Sequence, residues 1–305
     1  MKFLYLIHRA LFILSGGCWN DLLTFFIRFK KGPQLIDIPS DDIFQNLNTE
    51  EINFKNQMNK NGFYIFNNSI SKEVLEEIHI SIADKDYIET SEHSDKVINY
   101  NDFKNSPESC RYNLDDKTIL AIPILMKMSA SQTLLKLAQS YLRSKPILDI
   151  VTLWWSYPSN DIKLHNIAAQ MYHFDMDKIK FIKFFVYLTD VNTKNGPHCL
   201  FKGSHKHLPL KLRKKGRFSD DEVAKAYGQE NEVKITGKAG SIIAVDTRAI
   251  HKGDPILEGN RCLFQLQFSN SSFGKFYPKI VAPKLLSYLK SKNISDDHSY
   301  QQFCD

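Results

Sequence analysis

Phe181-Ile-Lys-Phe-Phe-Val-Tyr-Leu188 and Arg261-Cys-Leu-Phe-Gln-Leu-Gln-Phe268 are short apolar runs rich in aromatic and branched residues. Runs of this length and make-up are strands, not helices. On the second, side chains alternate faces, so Arg261 shares a face with Leu263, Gln265 and Gln267. The same character extends outward from Pro146 to Phe268, through Ile147–Trp155, Ala168–Phe174 and Ser241–Val245. Clusters of Gly, Pro, Asn and Asp separate these runs, the spacing of an all-β barrel or jelly roll.

Before Pro146 the pattern is helical. Asn61-Gly62 is a turn signal before a short strand at Phe63–Phe66, and Ser71 is an N-cap for an amphipathic helix over Lys72–Ala83. Further helices are expected over Ile119–Met128 and Gln132–Leu142. Residues 41–60 read as a polar helix or connector, and 84–116, with little periodicity, as a loop or lid. The expected fold is mainly β with flanking helices, the early helices bracing a sheet sandwich. With no Pro- or Gly-rich linker, residues 41–290 form a single domain with its β-rich core at about 146–273. A helical segment, 1–40, precedes it, and a polar, frayed tail, 291–305, follows.

Forty Lys and Arg against thirty-four Asp and Glu leave a formal charge of +6, too mild for a dedicated nucleic-acid binder. Cys18, Cys110, Cys199, Cys262 and Cys304 are odd in number and widely spaced, which argues against a disulfide framework and for a reducing, cytoplasmic setting. Residues 1–31 are apolar and basic, with Lys2, Arg9, Arg28, Lys30 and Lys31 opposing only Asp21. His8-Arg9 and Ser15-Gly16-Gly17 interrupt them, so no run approaches the ~20 apolar residues of a spanning helix. Two basic side chains inside the apolar stretch also argue against a secretory signal. Two readings stay open: a helix packed on the body, or a basic amphipathic anchor making peripheral contact with a membrane.

Six of the ten histidines, His165, His173, His198, His205, His207 and His251, lie in the β-rich half. In His173-Phe174-Asp175 an imidazole and a carboxylate two residues apart point the same way on a strand and can share one metal ion. That triplet alone does not distinguish a ligand pair from a structural histidine. His251, at the end of Gly240-Ser-Ile-Ile-Ala-Val-Asp-Thr-Arg-Ala-Ile-His251, is the candidate third ligand. Two histidines and one carboxylate on one face of a metal are the usual non-heme Fe(II) arrangement, whereas zinc sites are more often closed or carry Cys. Arg261 can grip a carboxylate with two parallel hydrogen bonds, or it can be an ordinary surface ion-pair partner.

The blocks MYHFDMD from Met171, YLTDVNTKNGPHCLFKGSHK from Tyr187 and GSIIAVDTRAIHKGDPILEGNR from Gly240 together resemble the phytanoyl-CoA dioxygenase family, over roughly Gly62 to Phe273. The resemblance implies a double-stranded β-helix, a cupin-like jelly roll, and a dioxygenase that uses Fe(II) and 2-oxoglutarate. It makes His173, Asp175 and His251 the catalytic iron ligands, and Arg261 the residue that binds 2-oxoglutarate. The spacing from His251 to Arg261 is ten, where the family commonly has eleven. The implied reaction consumes dioxygen, releases succinate and CO2 and hydroxylates a small organic or acyl substrate. Retention of Asp175 argues against halogenation, which needs a small residue there. The rival functions are a catalytically silent binding member of the fold and a cupin-like metal enzyme without 2-oxoglutarate. His205 is assigned to turn structure or the surroundings of the site, and His198 and Cys199 to buried structural roles. Asp177 could replace Asp175 only if the chain turned early. The basic run from Lys202 to Arg217 is either a solvated loop or a receiver for an anionic substrate such as an acyl thioester.

Overall fold

The computed structural model describes residues 2–90, 96–159, 170–214, 216–294 and 298–304. In chain order its helices are α1 (Lys2–Ser15), α2 (Cys18–Lys30), α3 (Glu51–Asn61), α4 (Lys72–Ile82), α5 (Tyr100–Phe103), α6 (Asp116–Ala121), α7 (Pro123–Ser129), α8 (Gln132–Leu142), α9 (Asp220–Tyr227) and α10 (Pro283–Ser291). Its strands are β1 (Phe63–Phe66), β2 (Asp86–Glu89), β3 (Val97–Asn99), β4 (Arg111–Leu114), β5 (Ile147–Ser156), β6 (Phe181–Tyr187), β7 (His198–Phe201), β8 (Glu232–Ile235), β9 (Ile242–Val245), β10 (His251–Gly253), β11 (Arg261–Ser269), β12 (Ile280–Val281) and β13 (Phe303–Cys304).

An eight-stranded antiparallel sheet runs β1-β9-β6-β11-β5-β4-β2-β3, and a three-stranded sheet, β10-β7-β8, faces it. The two form the jelly roll. Strand alternation sorts the large sheet's residues between its faces. Cys262, Phe264, Leu266 and Phe268 of β11, with Ile182, Phe184 and Val186 of β6, join the core under the early helices. Trp154, Phe185, Tyr187 and Leu263 point the other way and pack with Leu200 and Ile235 between the sheets.

Most expected elements stand within a residue or two. Ser71 caps α4 by accepting from the Val74 amide, and α8 and β1 run where periodicity puts them. Three differences have physical causes. The helix expected over Ile119–Met128 is two, α6 and α7, because Pro123 lacks an amide hydrogen and starts α7 at its first turn. Residues 84–116 are not simply a loop or lid: β2, β3 and β4 extend the large sheet, in strands too short to show a period, while 91–95 lie outside the described residues. The C-terminal segment is not frayed over 298–304, where β13 pairs with β12 and the hydroxyl of fully buried Ser299 donates to the Pro146 carbonyl; 295–297 and 305 lie outside the described residues. Of the strand expected at Ala168–Phe174, residues 168 and 169 are not described, nor is His165, and Tyr172 and His173 form only isolated bridges.

Helices α1 and α2 pack on the body through one side. Phe12 lies 5.6 Å from Phe174, Tyr5 donates to the Met176 carbonyl at 3.0 Å, and Asn20 donates to that of Ile179 at 2.7 Å. Among the described residues no single helix is long and apolar enough to cross a membrane.

Candidate metal centre

The His173 and His251 backbones exchange two amide-to-carbonyl hydrogen bonds, 2.9 and 2.8 Å, which bring residues far apart in sequence side by side. The Asp175 amide donates to the Thr247 carbonyl at 2.8 Å and pins the ligand loop to the turn before β10. One ligand atom from each of His173, Asp175 and His251 lies within 4.8 Å of the others. Nδ1 of His173 is 2.9 Å from the Met171 carbonyl and Nδ1 of His251 is 2.9 Å from that of Ala249, so in the neutral tautomer both donate there. That leaves both Nε2 lone pairs on the Asp175 side, each Nε2 being 3.8 Å from a carboxylate oxygen.

Burial keeps these imidazoles neutral. It pushes His173 down to about 3, with the neighbouring His251 adding to the shift, and it lowers His251 despite Asp175. Burial alone would raise the Asp175 carboxyl, but the Lys183 ammonium 2.7 Å away, together with His251 and His173, holds the group below the ordinary range. Two neutral imidazoles and a carboxylate are a donor set that fits one divalent transition metal ion with open positions.

Beside this cluster lies a cavity of about 320 Å³ between the sheets. Arg261 lines it, so the ten-residue spacing delivers the guanidinium to the pocket. Gly196, at φ 80°, makes room: a Cβ there would come within 3.3 Å of Nη1 of Arg261 and 2.8 Å of Ile256. Nε of Arg261 is buried and has no hydrogen-bond partner among the described residues, an orphan that a bound carboxylate would satisfy.

Arg111 of β4 also lines the cavity, a residue the sequence reading passed over because it lay in an apparent loop. Its guanidinium sits 4.2 Å over the Trp154 ring, and its Nε donates to Asn113 at 2.8 Å. Ser156 pairs with Arg111 on one side and Arg261 on the other, so the two cations flank one position of β5. Burial, and then Arg261, lower the Arg111 guanidinium to about 10.

His198 is buried, as expected, and it also lines the cavity and stacks on His251 at 5.3 Å. Asp177 lines it too, outside the three-ligand cluster and 3.9 Å from Lys183. His205 is structural, buried against Gly62, where an added Cβ would come within 2.6 Å of its Nδ1; Gly62 ends α3 at φ 85°. Among the described residues of the basic run none lines the cavity. Arg213 donates to the Leu14 carbonyl at 2.6 Å, Lys214 pairs with Glu222, and Lys215 lies outside the described residues. Arg217 is near enough for Asp175 to act on its charge.

The fold and the site together define a jelly-roll oxygenase scaffold. Residues 58–257 match the family model described as phytanoyl-CoA dioxygenase, and the chain belongs to that family of Fe(II)- and 2-oxoglutarate-dependent oxygenases. Arg261 lies just beyond the matched residues. Among solved structures the chain is similar to the non-heme alpha ketoglutarate dependent epimerase SnoN from nogalamycin biosynthesis, at 13% identity and a TM-score of 0.52, covering 73% of this chain and 84% of that one. HygX from Streptomyces hygroscopicus, solved with nickel, 2-oxoglutarate and hygromycin B bound, matches at 13% identity and a TM-score of 0.49 over 72% of this chain and 88% of that one. AviO1 from Streptomyces viridochromogenes Tue57 matches at 14% and 0.48, over 75% and 98% respectively. No curated protein matches the chain.

Proposed function

We propose that this chain is a dioxygenase that binds Fe(II) through His173, Asp175 and His251, binds 2-oxoglutarate through Arg261, and hydroxylates a small anionic substrate. The observation that carries the reading is the convergence of the three ligand atoms beside a cavity that also holds an arginine, Arg261, whose buried Nε has no hydrogen-bond partner among the described residues. Bound together, Fe(II) and 2-oxoglutarate supply oxidising power: one dioxygen is consumed, 2-oxoglutarate leaves as succinate and CO2, and the second oxygen atom enters a substrate C–H bond. The chain's part is positioning. The carbonyls of Met171 and Ala249 fix the two imidazoles, and Lys183 orients the Asp175 carboxylate. Arg261 aligns the keto acid by its distal carboxylate, and the two sheets exclude water from the cavity between them.

The charge of the lining supports an anionic substrate. Lys183 is taken by Asp175, and Lys275 lies 3.8 Å from Asp177. Arg111 and Arg261 face no carboxylate within ion-pair distance among the described residues. With Arg261 assigned to 2-oxoglutarate, Arg111 is left to take a carboxylate or phosphate of the substrate, an acyl thioester being one compound that carries one. The residues of this site fall inside 41–290, the unit we propose as the single oxygenase domain.

The test is an anaerobic Fe(II) titration with 2-oxoglutarate, following the visible charge-transfer band of a chelated keto acid. Wild type should show the band, Asp175→Ala and His251→Ala should lose it, and Arg261→Ala should need about tenfold or more 2-oxoglutarate to reach it. An iron-loaded wild type without a band would overturn the reading in favour of a silent or cupin-like protein.

A further inference from the structure

Among the described residues, half of the large exposed apolar side chains lie on two short helices. Phe3, Leu4, Leu6, Ile7 and Leu14 of α1 are exposed, Phe3 at 74%, as are Leu22, Phe25, Phe26 and Phe29 of α2, Phe29 also at 74%. The α2 residues recur at i, i+3, i+4 and i+7, one stripe along the helix, and Phe25 touches both Phe26 and Phe29 edge-on. A stripe of this size rimmed by charge marks an interaction surface. The opposite sides of both helices are committed to the protein through His8, Phe12 and Asn20, all buried.

Neither helix spans a bilayer alone: at ~1.5 Å per residue each is about 20 Å long, short of the ~30 Å hydrocarbon core, and the chain bends by 119° between them. An arrangement anchored on one side and apolar on the other suits lying along an interface. The surrounding charge selects the kind of interface. Exposed Arg28, Lys30 and Lys31 end α2, and the neighbouring groove adds Lys55 and Arg143 beside a Lys136–Glu51 pair. The one acid on these helices, Asp21, is turned to Arg248 at 3.4 Å.

We infer that α1 and α2 dock this protein on an anionic lipid surface, the phenyl side chains entering the acyl boundary and Arg28, Lys30 and Lys31 meeting the headgroups. Docking there also sets the site beside the lipid. Between the helices lies an apolar cleft of about 330 Å³ walled partly by Ile179 and Phe273. Asp177 and Lys275, two residues from each, line the metal cavity, and exposed Phe276 lies on the same segment. The surface proposal does not depend on the chemistry proposed above.

The experiment is flotation of the full-length chain with phosphatidylglycerol–phosphatidylcholine vesicles and with phosphatidylcholine vesicles. Wild type should float with the anionic vesicles, more weakly at high salt, and poorly with neutral ones. The doubly substituted Phe25→Ser, Phe29→Ser chain should lose about tenfold or more in binding, and Lys30→Glu, Lys31→Glu about tenfold, both with unchanged circular dichroism. Equal binding of wild type and both variants, or no binding at all, would overturn the inference. So would a wild-type dimer in light scattering that Phe25→Ser, Phe29→Ser converts to monomer, since the stripe would then be a subunit interface.

Discussion

Asp246 and His251 are five residues apart, yet they belong to two buried polar clusters built on opposite rules. Around Asp246 the carboxylate, the guanidinium and the tyrosine hydroxyl find one another. The Arg248 guanidinium donates to both Asp246 oxygens, at 2.7 to 3.1 Å, and the Tyr141 hydroxyl donates to Oδ2 at 2.6 Å. Asp21 of α2 closes the outer side, so the cluster ties together α2, α8 and the turn before β10. Burial opposes the charge on Asp246, but Arg248, with smaller help from His205 and the Tyr141 hydroxyl, holds the carboxyl at about 2. Around His251, by contrast, two imidazole nitrogens converge on a carboxylate without reaching hydrogen-bond distance, and a guanidinium nitrogen is buried with no partner among the described residues. A closed network specifies structure, whereas an open one is arranged for something that arrives later.

The sharpest way to break this comparison is to remove one member from each cluster. Arg248→Ala leaves the Asp246 carboxylate buried and uncompensated, and should cost about 3–5 kcal/mol of stability in urea denaturation. His251→Ala should abolish Fe(II) binding while changing apo-protein stability less, because it breaks only the neutral Nδ1 hydrogen bond to the Ala249 carbonyl and leaves no buried charge uncompensated. If His251→Ala proved as destabilising as Arg248→Ala, the second cluster would be structural and the open-network reading would be wrong.

The same contrast explains what the sequence disclosed. His173, Asp175 and His251 were candidates because a short motif points to ligands without knowledge of the whole fold, although His173 sits in an isolated bridge and not in the strand expected there. Arg261 was legible from the alternation of β11, and the N-terminal helices from their interrupted apolar runs. Arg111 was not, because β4 is four residues long and sits in a polar stretch; its relation to Arg261 exists only through the intervening β5. The Asp246–Arg248–Tyr141 cluster was equally hidden, since its members come from a turn and a helix far apart in sequence. His198 was read as structural because the turn Asn195-Gly196-Pro197 dominates its neighbourhood, while its place in the cavity follows from the pairing of β7 with β10.

A smaller effect separates the two arginines of the open cluster. Arg111→Gln keeps hydrogen-bonding capacity near Trp154 but removes the charge, so the 2-oxoglutarate titration of the Fe(II) band should be almost unchanged. Turnover of an anionic substrate should fall about 10- to 100-fold in kcat/KM, mostly through KM, in proportion to a lost charge-assisted hydrogen bond. The complementary result, a large loss of 2-oxoglutarate affinity with substrate KM unmoved, would reassign Arg111 to the keto acid and leave the substrate's charge unexplained.

The smallest expected effect is the pH response of the apo protein, to which both clusters contribute. Burial holds His173 at about 3 and His205 at about 4, and lowers His198 and His251 as well. Unfolded histidine titrates near ~6.5, so below that pH the unfolded chain binds protons that the folded one refuses, and stability falls as pH drops towards 4. Asp149 and Asp116 work against this: burial raises both to about 6, so between ~4 and 6 the folded chain holds two protons that the unfolded one has released. Four histidines outweigh those two carboxyls, and the urea midpoint should decrease from pH 7 to pH 5.5. Replacing His173 and His251 by Ala should flatten the slope by up to about 1 kcal/mol per pH unit for each residue. Replacing His205, packed against Gly62, should flatten it only together with an overall loss of stability. A midpoint independent of pH over this range would mean that the open histidines are solvated in the apo protein, and that the cavity between the sheets is wet until its ligands bind.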